Sequence, residues 1–112
     1  MAGYIPRQGD YLALNFNPQT GHEQRGRRPA LVISSTLFNR ETGLVIVCPL
    51  TNTDRRYPFH VPVGETESVK GFVMVEQVKS FDYRARAARR LGTASDDVLE
   101  AVLGILDACL HQ

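Results

Sequence analysis

Cationic, hydroxyl and amide side chains gather at three places in this sequence, each beside an apolar run. The first is a glycine-rich stretch with a carboxylate and three arginines, Gly21-His22-Glu23-Gln24-Arg25-Gly26-Arg27-Arg28-Pro29. The second is Thr51-Asn52-Thr53, and the third is Gln77-Val78-Lys79. Arginine binds phosphate through a planar fork of donors, and fixed donors of this kind stabilise charge that develops during a reaction. The three clusters therefore predict a site that holds a phosphodiester.

Each cluster also has a purely structural interpretation. The arginine-rich stretch is compatible with a solvated basic turn, and Thr51 and Asn52 are compatible with a turn in which they bond their own backbone. The third cluster fits the half-exposed surface of a sheet. A further basic stretch, residues 84–90, fits a solvated face. The combination of cations, hydroxyls and amides, rather than any one cluster, favours the functional interpretation.

Metal and cofactor sites have no support in the sequence. His22, His60 and His111 lie far apart and form no recognisable ligand pair, and no cluster of acids fits a two-metal nuclease. No Walker-type or dinucleotide-binding glycine pattern is present, so no cofactor is predicted. A nuclease of this kind would be independent of metal. RNA is its natural substrate, because the 2′-OH can act as an internal nucleophile.

Composition and charge indicate one globular domain, residues 1–112, with a basic body and an acidic end. The chain has 112 residues, of which 43% are hydrophobic, and this is enough for one core. Residues 1–90 carry all 13 Lys and Arg and 8 of the 12 Asp and Glu. Residues 91–112 carry the other 4 Asp and Glu and no Lys or Arg. This asymmetry is compatible with a nucleic-acid partner.

The cysteines and the lack of a long apolar stretch predict a reducing compartment and no membrane. Cys48, between Val47 and Pro49, is expected to be an inert buried thiol. No apolar region of a signal peptide follows Met1, and no stretch approaches the ~20 residues that span a bilayer. We therefore expect a cytoplasmic protein.

Short strands are the elements that must position the three clusters. They are predicted over residues 10–16, 29–34, 44–50, 57–63 and 71–78. Turn chemistry at Asn39 and Gly43 separates the second strand from the third, with room for one helical turn. Alternation along the last strand places Glu76 and Gln77 on opposite faces of the sheet.

The final element differs from the others because its apolar residues have helical spacing. Ser95 is the predicted N-cap, with Asp96 and Asp97 in the first turn. The apolar stripe consists of Val98, Leu99, Val102, Leu103, Leu106 and Leu110. Several short strands closed by one C-terminal α-helix predict a mainly β domain, either a small antiparallel barrel or a half-open sheet.

The ordered set of motifs resembles the MazF/PemK family of bacterial toxins, and the similarity extends over nearly the whole chain. The matching residues are Gly9-Asp10, Gly21, Glu23-Gln24, Gly26, Arg28-Pro29, Asn39, Gly43, Cys48-Pro49, Thr51, Tyr57-Pro58-Phe59, Glu76-Gln77-Val78-Lys79-Ser80 and Arg84-Ala85-Arg86.

The resemblance implies an SH3-like barrel that forms a homodimer and cleaves single-stranded RNA, usually messenger RNA, at a short recognition sequence. In that family cleavage needs no metal and leaves a 2′,3′-cyclic phosphate and a 5′-OH, and a cognate MazE-like antitoxin blocks it. The family's functional residues fall on Arg28, Thr51 and Glu23, the candidate catalytic residues. The candidate RNA-binding residues are Gln24, Arg25, Arg27, Asn52, Gln77 and Lys79.

The general base stays open at this stage. Arginine remains protonated near neutral pH, so the easier role for Arg28 is to stabilise the phosphorane together with the Thr51 hydroxyl. The proton of the 2′-OH would then pass to Glu23, to Arg28 itself, or to His22, since imidazole suits acid–base catalysis.

Two other classes of protein are compatible with parts of the sequence. One is a toxin of the same fold that poisons DNA gyrase through a C-terminal tryptophan, but this chain has no Trp. The other is a non-catalytic RNA-binding barrel, which would stack bases on aromatic side chains such as Tyr57, Phe59, Phe81 and Tyr83.

Overall fold

The computed structural model describes residues 3–16, 27–65 and 67–111. The elements in these ranges are β1 (Asp10–Asn15), β2 (Arg27–Val32), α1 (Thr36–Thr42), β3 (Leu44–Thr51), β4 (His60–Pro62), β5 (Phe72–Met74), a 3₁₀ turn (Val75–Gln77), β6 (Lys79–Asp82), β7 (Arg89–Thr93) and α2 (Asp96–Leu110). The predicted mainly β domain with a C-terminal α-helix is confirmed. Neither α1 nor α2 is long and apolar enough to cross a membrane.

The strands form one antiparallel sheet with β3 near its centre. The order is β4–β5–β3–β2–β1–β7, and β6 also pairs with β3. One edge of β3 pairs with β2. The other edge is shared by two strands. Val47, which pairs with Val32 of β2, pairs on this edge with Lys79 of β6, and Leu50 pairs on the same edge with Val73 of β5. Within the described residues this path does not close on itself, so the predicted SH3-like barrel is a barrel only in a loose sense.

Both faces of the sheet are buried near its centre. Along β1, Tyr11 packs into one apolar cluster with Leu31 and Cys48, whereas its neighbour Leu12 packs into a second cluster with Val47. Alternate residues of a strand point to opposite faces, so a strand buried on both faces reads as a continuous apolar run. This is why the sequence of β3 shows no polar alternation.

Helix α2 covers the first of these clusters. Ser95 is the N-cap, as predicted, and its Oγ accepts a hydrogen bond from the backbone N–H of Val98 at 3.3 Å. Val98 and Val102 are buried, and Leu106 is half-buried against the same cluster. Leu110 belongs to the predicted stripe but is 69% exposed, because the helix extends past the core that it covers.

The predicted strand over residues 71–78 is interrupted. Strand β5 ends at Met74, a 3₁₀ turn follows at Val75–Gln77, and β6 begins at Lys79. Glu76 and Gln77 are therefore consecutive residues of a turn, and they do not alternate across a strand as the sequence predicts.

The register of the sheet explains this interruption. Leu50 pairs with Val73, and Val47 pairs with Lys79. Between these two pairs, the segment that pairs with β3 runs six residues, from Val73 to Lys79. Strand β3 itself runs only three, from Val47 to Leu50. The three extra residues form the 3₁₀ turn, and β3 keeps its ladder of pairs on both sides of it.

Asn39 is a buried polar residue that joins distant parts of the fold. It lies inside α1 rather than in a turn, and it is completely buried. Its Nδ2 donates to the carbonyl oxygen of Pro6 at 2.8 Å, and its Oδ1 accepts from the Ser34 hydroxyl. Its carbonyl oxygen accepts from the Tyr83 hydroxyl at 3.1 Å. Asn39 of α1 therefore joins two other parts of the fold to this helix, the N-terminal segment through Pro6 and the turn after β6 through Tyr83.

We expect Asn39→Leu to lower the free energy of unfolding by about 3 kcal/mol, because it leaves the Pro6 carbonyl and the Ser34 hydroxyl without their buried partner. Urea unfolding followed by circular dichroism measures this change. The control is Arg40→Leu at the exposed neighbouring position, which should change the free energy by less than about 0.5 kcal/mol. A loss below about 1 kcal/mol for Asn39→Leu would show that this network contributes little.

Candidate active site

Two arginines are fixed at the start of β2. The sequence predicts that this strand begins at Pro29, but β2 begins at Arg27, and both Arg27 and Arg28 pair with residues of β1. The Arg27 Nη2 also donates to the carbonyl oxygen of Ala13 at 3.1 Å. Both side chains are exposed while their backbone belongs to a sheet, so they extend from well-defined positions.

Strand β3 places Thr51 beside these arginines. Ala30 of β2 pairs with Pro49 of β3 in an antiparallel ladder. Continuing this register by two residues along each strand brings Arg28 opposite Thr51 on the same face of the sheet. The guanidinium and the hydroxyl therefore project from neighbouring strands toward one region.

The Thr51 hydroxyl can serve structure and function together. Its Oγ1 accepts a hydrogen bond from the backbone N–H of Thr53 at 3.2 Å, which is the turn that the structural interpretation of this cluster predicts. Accepting this bond uses a lone pair of the oxygen, and the hydroxyl keeps its proton for donation to a ligand.

Gly71 brings the start of β5 into close contact with the end of β3. Its φ is +107°, a conformation that residues with a side chain rarely adopt. A Cβ atom here would lie 2.2 Å from the carbonyl oxygen of Thr51 and 3.2 Å from Asn52 Oδ1. The absence of a side chain therefore allows this close approach, which places the preceding residue, Lys70, at the same end of the sheet.

These residues line a cleft of about 400 Å³. The lining consists of Arg27, Arg28, Pro29, Leu50, Thr51, Asn52 and Lys70. The lining includes three basic residues, a hydroxyl and an amide, and none of the described lining residues is acidic. The cleft is therefore suited to an anion such as a phosphodiester. Four predicted site residues meet here, namely Arg27, Arg28, Thr51 and Asn52.

Lys70 is a lining residue that the sequence analysis missed. In the sequence it is an isolated lysine between Val69 and Gly71, with no cluster around it. The only local signal is the glycine that follows it just before a strand. Its place in the cleft depends on the pairing of Thr51 with Phe72, which joins segments about twenty residues apart in sequence.

The remaining predicted site residues fall into two groups. Four lie outside the described residues, namely His22, Glu23, Gln24 and Arg25. The other two are described but do not line this cleft. Gln77 lines a second cleft beside the 3₁₀ turn, and Lys79 is an exposed residue of β6.

The thiol of Cys48 takes no part in this chemistry. Burial, and to a smaller extent the charge of Glu76, raises the pKa of Cys48 to about 12. The thiol therefore stays protonated near neutral pH and is a poor nucleophile, as predicted. Among residues 3–16, 27–65 and 67–111, no three His, Cys, Asp or Glu side chains come together in a way that could hold a metal ion.

The chain matches a protein-family model over most of its length. The model describes a "PemK-like, MazF-like toxin of type II toxin-antitoxin system", and it matches residues 7–110. The chain belongs to this PemK/MazF family. The endoribonuclease toxin ChpB of Escherichia coli (strain K12) is 43% identical over 109 residues, which cover 93% of this chain and 93% of ChpB. The endoribonuclease toxin MazF of the same strain is 37% identical over 99 residues, 88% of each chain.

Solved structures of MazF proteins have the same fold. The crystal structure of MazF (Form-I) from Deinococcus radiodurans has a TM-score of 0.87 at 44% identity, covering 98% of this chain and 100% of that chain. The MazE–MazF (Form-II) structure from the same organism has a TM-score of 0.85 at 39% identity, covering 96% and 97%. The predicted MazF/PemK membership is thus confirmed, and the predicted enzyme class, endoribonuclease, is the class that the names of these relatives state.

Proposed function

We propose that this PemK/MazF-family protein is an endoribonuclease toxin that cleaves single-stranded RNA, messenger RNA in the cell, at a short recognition sequence. The observation that carries the proposal is the meeting of Arg28 and Thr51 at one cationic cleft. The relatives named endoribonuclease support the same activity. In this proposal the cleft holds the phosphodiester at the cut position.

The reaction is an attack by the RNA on its own backbone. The 2′-oxygen before the cut gives its proton to a general base and forms a bond to phosphorus, while the bond between phosphorus and the 5′-oxygen breaks. The 5′-oxygen then takes up a proton from a general acid. The products are a 2′,3′-cyclic phosphate and a 5′-OH end. In this scheme no metal takes part, because the nucleophile belongs to the substrate and side chains of the cleft stabilise the charge on the phosphorane.

The cleft supplies the charge stabilisation that this reaction needs. The phosphorane carries more negative charge than the ground state, and Arg28 and Thr51 donate to its oxygens. Lys70 adds a second cation on the same cleft. A single fixed donor of this kind contributes about 10²–10³-fold to the rate in other enzymes.

The proton of the 2′-OH passes in this proposal to Glu23, with Arg28 and His22 as the alternatives. A carboxylate can accept a proton directly, whereas a guanidinium is already protonated near neutral pH. Glu23 and His22 lie outside the described residues, so their assignment depends on the family resemblance.

Two protein partners belong to the proposal. A cognate MazE-like antitoxin would cover the cleft with an acidic segment, because Arg27, Arg28 and Lys70 line it. The MazE–MazF structures from Deinococcus radiodurans support a partner of this kind. The second partner is another copy of the chain in a homodimer. A cytoplasmic location is part of the same proposal, since messenger RNA is the substrate.

The purified protein should cut a complex RNA pool in the presence of EDTA and leave new 5′-OH ends that share a short sequence. Ligation to these ends and sequencing measures activity, metal requirement and specificity together. An oligonucleotide with a single 2′-deoxy nucleotide before the cut should resist cleavage, because it lacks the nucleophile.

The other outcomes discriminate among the alternatives. Loss of cutting in EDTA would contradict metal independence, and 5′-phosphate ends would contradict internal attack. Binding of RNA without cutting would favour the non-catalytic RNA-binding protein. Inhibition of DNA gyrase without RNA cleavage would favour the gyrase-poisoning toxin.

A further inference from the structure

A second cleft, of about 390 Å³, opens beside the 3₁₀ turn that interrupts the sheet. It is lined by Arg55, Tyr57, His60, Met74, Glu76 and Gln77. Unlike the first cleft, it places a carboxylate and an amide next to an exposed aromatic ring. A carboxylate repels phosphate, whereas it accepts hydrogen bonds from neutral donors. The part of the cleft formed by Glu76, Gln77 and Tyr57 therefore suits a flat, uncharged group that carries N–H donors.

The carboxylate of Glu76 is held in place by a histidine. The His60 Nε2 lies 2.9 Å from Glu76 Oε2, and the His60 side chain is only 3% exposed. The ring of Tyr57 packs against the imidazole with centroids 5.2 Å apart and planes at 88°. The His60 Nδ1 is buried with no hydrogen-bond partner among the described residues. This favours the tautomer with the proton on Nε2, which is donated to Glu76.

Glu76 is a charged acceptor in this arrangement. Burial acts to raise its pKa, but the hydrogen bonds from His60, its own backbone N–H and Gln77 outweigh burial, and the pKa of Glu76 is lowered. The two oxygens of a carboxylate offer about four lone-pair sites, so acceptor capacity remains for a ligand.

Both clefts lie on the same face of the sheet. Thr51 pairs with Phe72 of β5, and Met74 of β5 pairs with His60 of β4. Phe72 and Met74 are two residues apart and point the same way, so Thr51 and His60 share a face. Strands about 4.8 Å apart with a rise of about 3.3 Å per residue place the two Cα atoms roughly 12 Å from each other. One RNA strand spans this distance within a few nucleotides.

We propose that the second cleft is a nucleobase subsite that selects, at one position of the cut sequence, a base with an amino group on its Watson–Crick edge. This inference rests on the proposed RNA cleavage. The base stacks on Tyr57, its amino group donates to Glu76, and Arg55 contacts a neighbouring phosphate. Uracil is disfavoured, because its one Watson–Crick donor, N3–H, lies between two carbonyl oxygens that the carboxylate repels. His60 is a positioning residue that orients Glu76 without touching the base.

Glu76→Gln tests the subsite, because it keeps the shape of the side chain and replaces an acceptor oxygen by a donor. For the wild-type protein, cut sites with an amino-bearing base at the selected position should outnumber those with uracil by about tenfold. The variant should lose most of this preference. Sequencing of the 5′-OH ends from one RNA pool measures both ratios. Glu41→Gln, at an exposed carboxylate of α1, should keep the wild-type ratio.

Two substitutions at His60 separate positioning from folding. His60→Leu removes the hydrogen bond to Glu76 and should shift the base ratio in the same direction as Glu76→Gln, by a smaller factor. His60→Gln offers an N–H donor again and should restore the ratio. Thermal unfolding of each variant shows whether it is folded. A purely structural role for His60 would lower Tm and leave the base ratio unchanged.

The possible failures are distinguishable. Wild-type protein that cuts RNA with no preference for amino-bearing bases at any position overturns the subsite, and so does an unchanged ratio in Glu76→Gln. Wild-type protein that cuts no RNA overturns the proposed function, and the subsite with it. The base ratio is taken among the 5′-OH ends that each protein releases, so it is independent of the overall rate of cleavage.

Discussion

Arg28→Ala should abolish RNA cleavage while leaving the fold intact. We expect kcat to fall by about 10³-fold, because the substitution removes the charged donor that faces Thr51 across the cleft. The Arg28 side chain is exposed, so its truncation creates no cavity in the core. The free energy of unfolding should therefore change by less than about 0.5 kcal/mol.

Single-turnover cleavage of one defined RNA measures this effect. Arg28→Lys should give an intermediate rate, since lysine keeps the charge and loses the planar fork of donors. Arg40→Ala, at an exposed arginine of α1 outside both clefts, should cut at the wild-type rate. If Arg28→Ala cuts within about tenfold of the wild-type rate, Arg28 does not stabilise the phosphorane.

Gly71→Ala should damage stability and activity together. The φ of +107° at Gly71 is strained for alanine, and the new Cβ would lie 2.2 Å from the carbonyl oxygen of Thr51. We expect the free energy of unfolding to fall by about 3 kcal/mol. Relief of the clash requires the end of β3 to move, and a displacement of about 1 Å at Thr51 is expected to lower kcat by about 10²-fold.

Gly104→Ala provides a control for which the free energy of unfolding is expected to rise instead of fall. Gly104 lies in α2 with nothing within 4 Å of an added Cβ, so the same substitution should raise the free energy of unfolding by about 1 kcal/mol and leave cleavage unchanged. Chemical unfolding and single-turnover cleavage of both variants make the comparison. Equal stability of the two variants would show that the approach of Gly71 to Thr51 tolerates a side chain.

Local signals made much of the fold predictable. The continuous apolar run of β3 indicates a strand buried on both faces, and the Ser95 cap followed by helical spacing indicates α2. The same holds for part of the site. Arg28 and Thr51 each stand next to a buried strand, so their positions in sequence already indicate the end of the sheet at which they meet.

Features that depend on pairing between distant segments could not be predicted in this way. Lys70 reaches the cleft only through the ladder between β3 and β5. Strand β7, Arg89–Thr93, has no apolar run, and its pairing with β1 is what defines it. The turn at Val75–Gln77 reflects a register shift of three residues, which leaves no mark on the composition of the segment.

The three extra residues of the turn at Val75–Gln77 have a consequence for engineering the protein. Because β3 keeps its pairs on both sides of Val75–Gln77, neither ladder passes through Glu76 or Gln77. The constraints on the turn are the buried Val75 and the hydrogen bond between His60 and Glu76. Glu76 and Gln77 can therefore be substituted without changing any residue of the paired strands. If the proposed subsite is correct, a library randomised at Gln77, and at Glu76 among side chains that accept a hydrogen bond from His60, should contain members with altered cut sites.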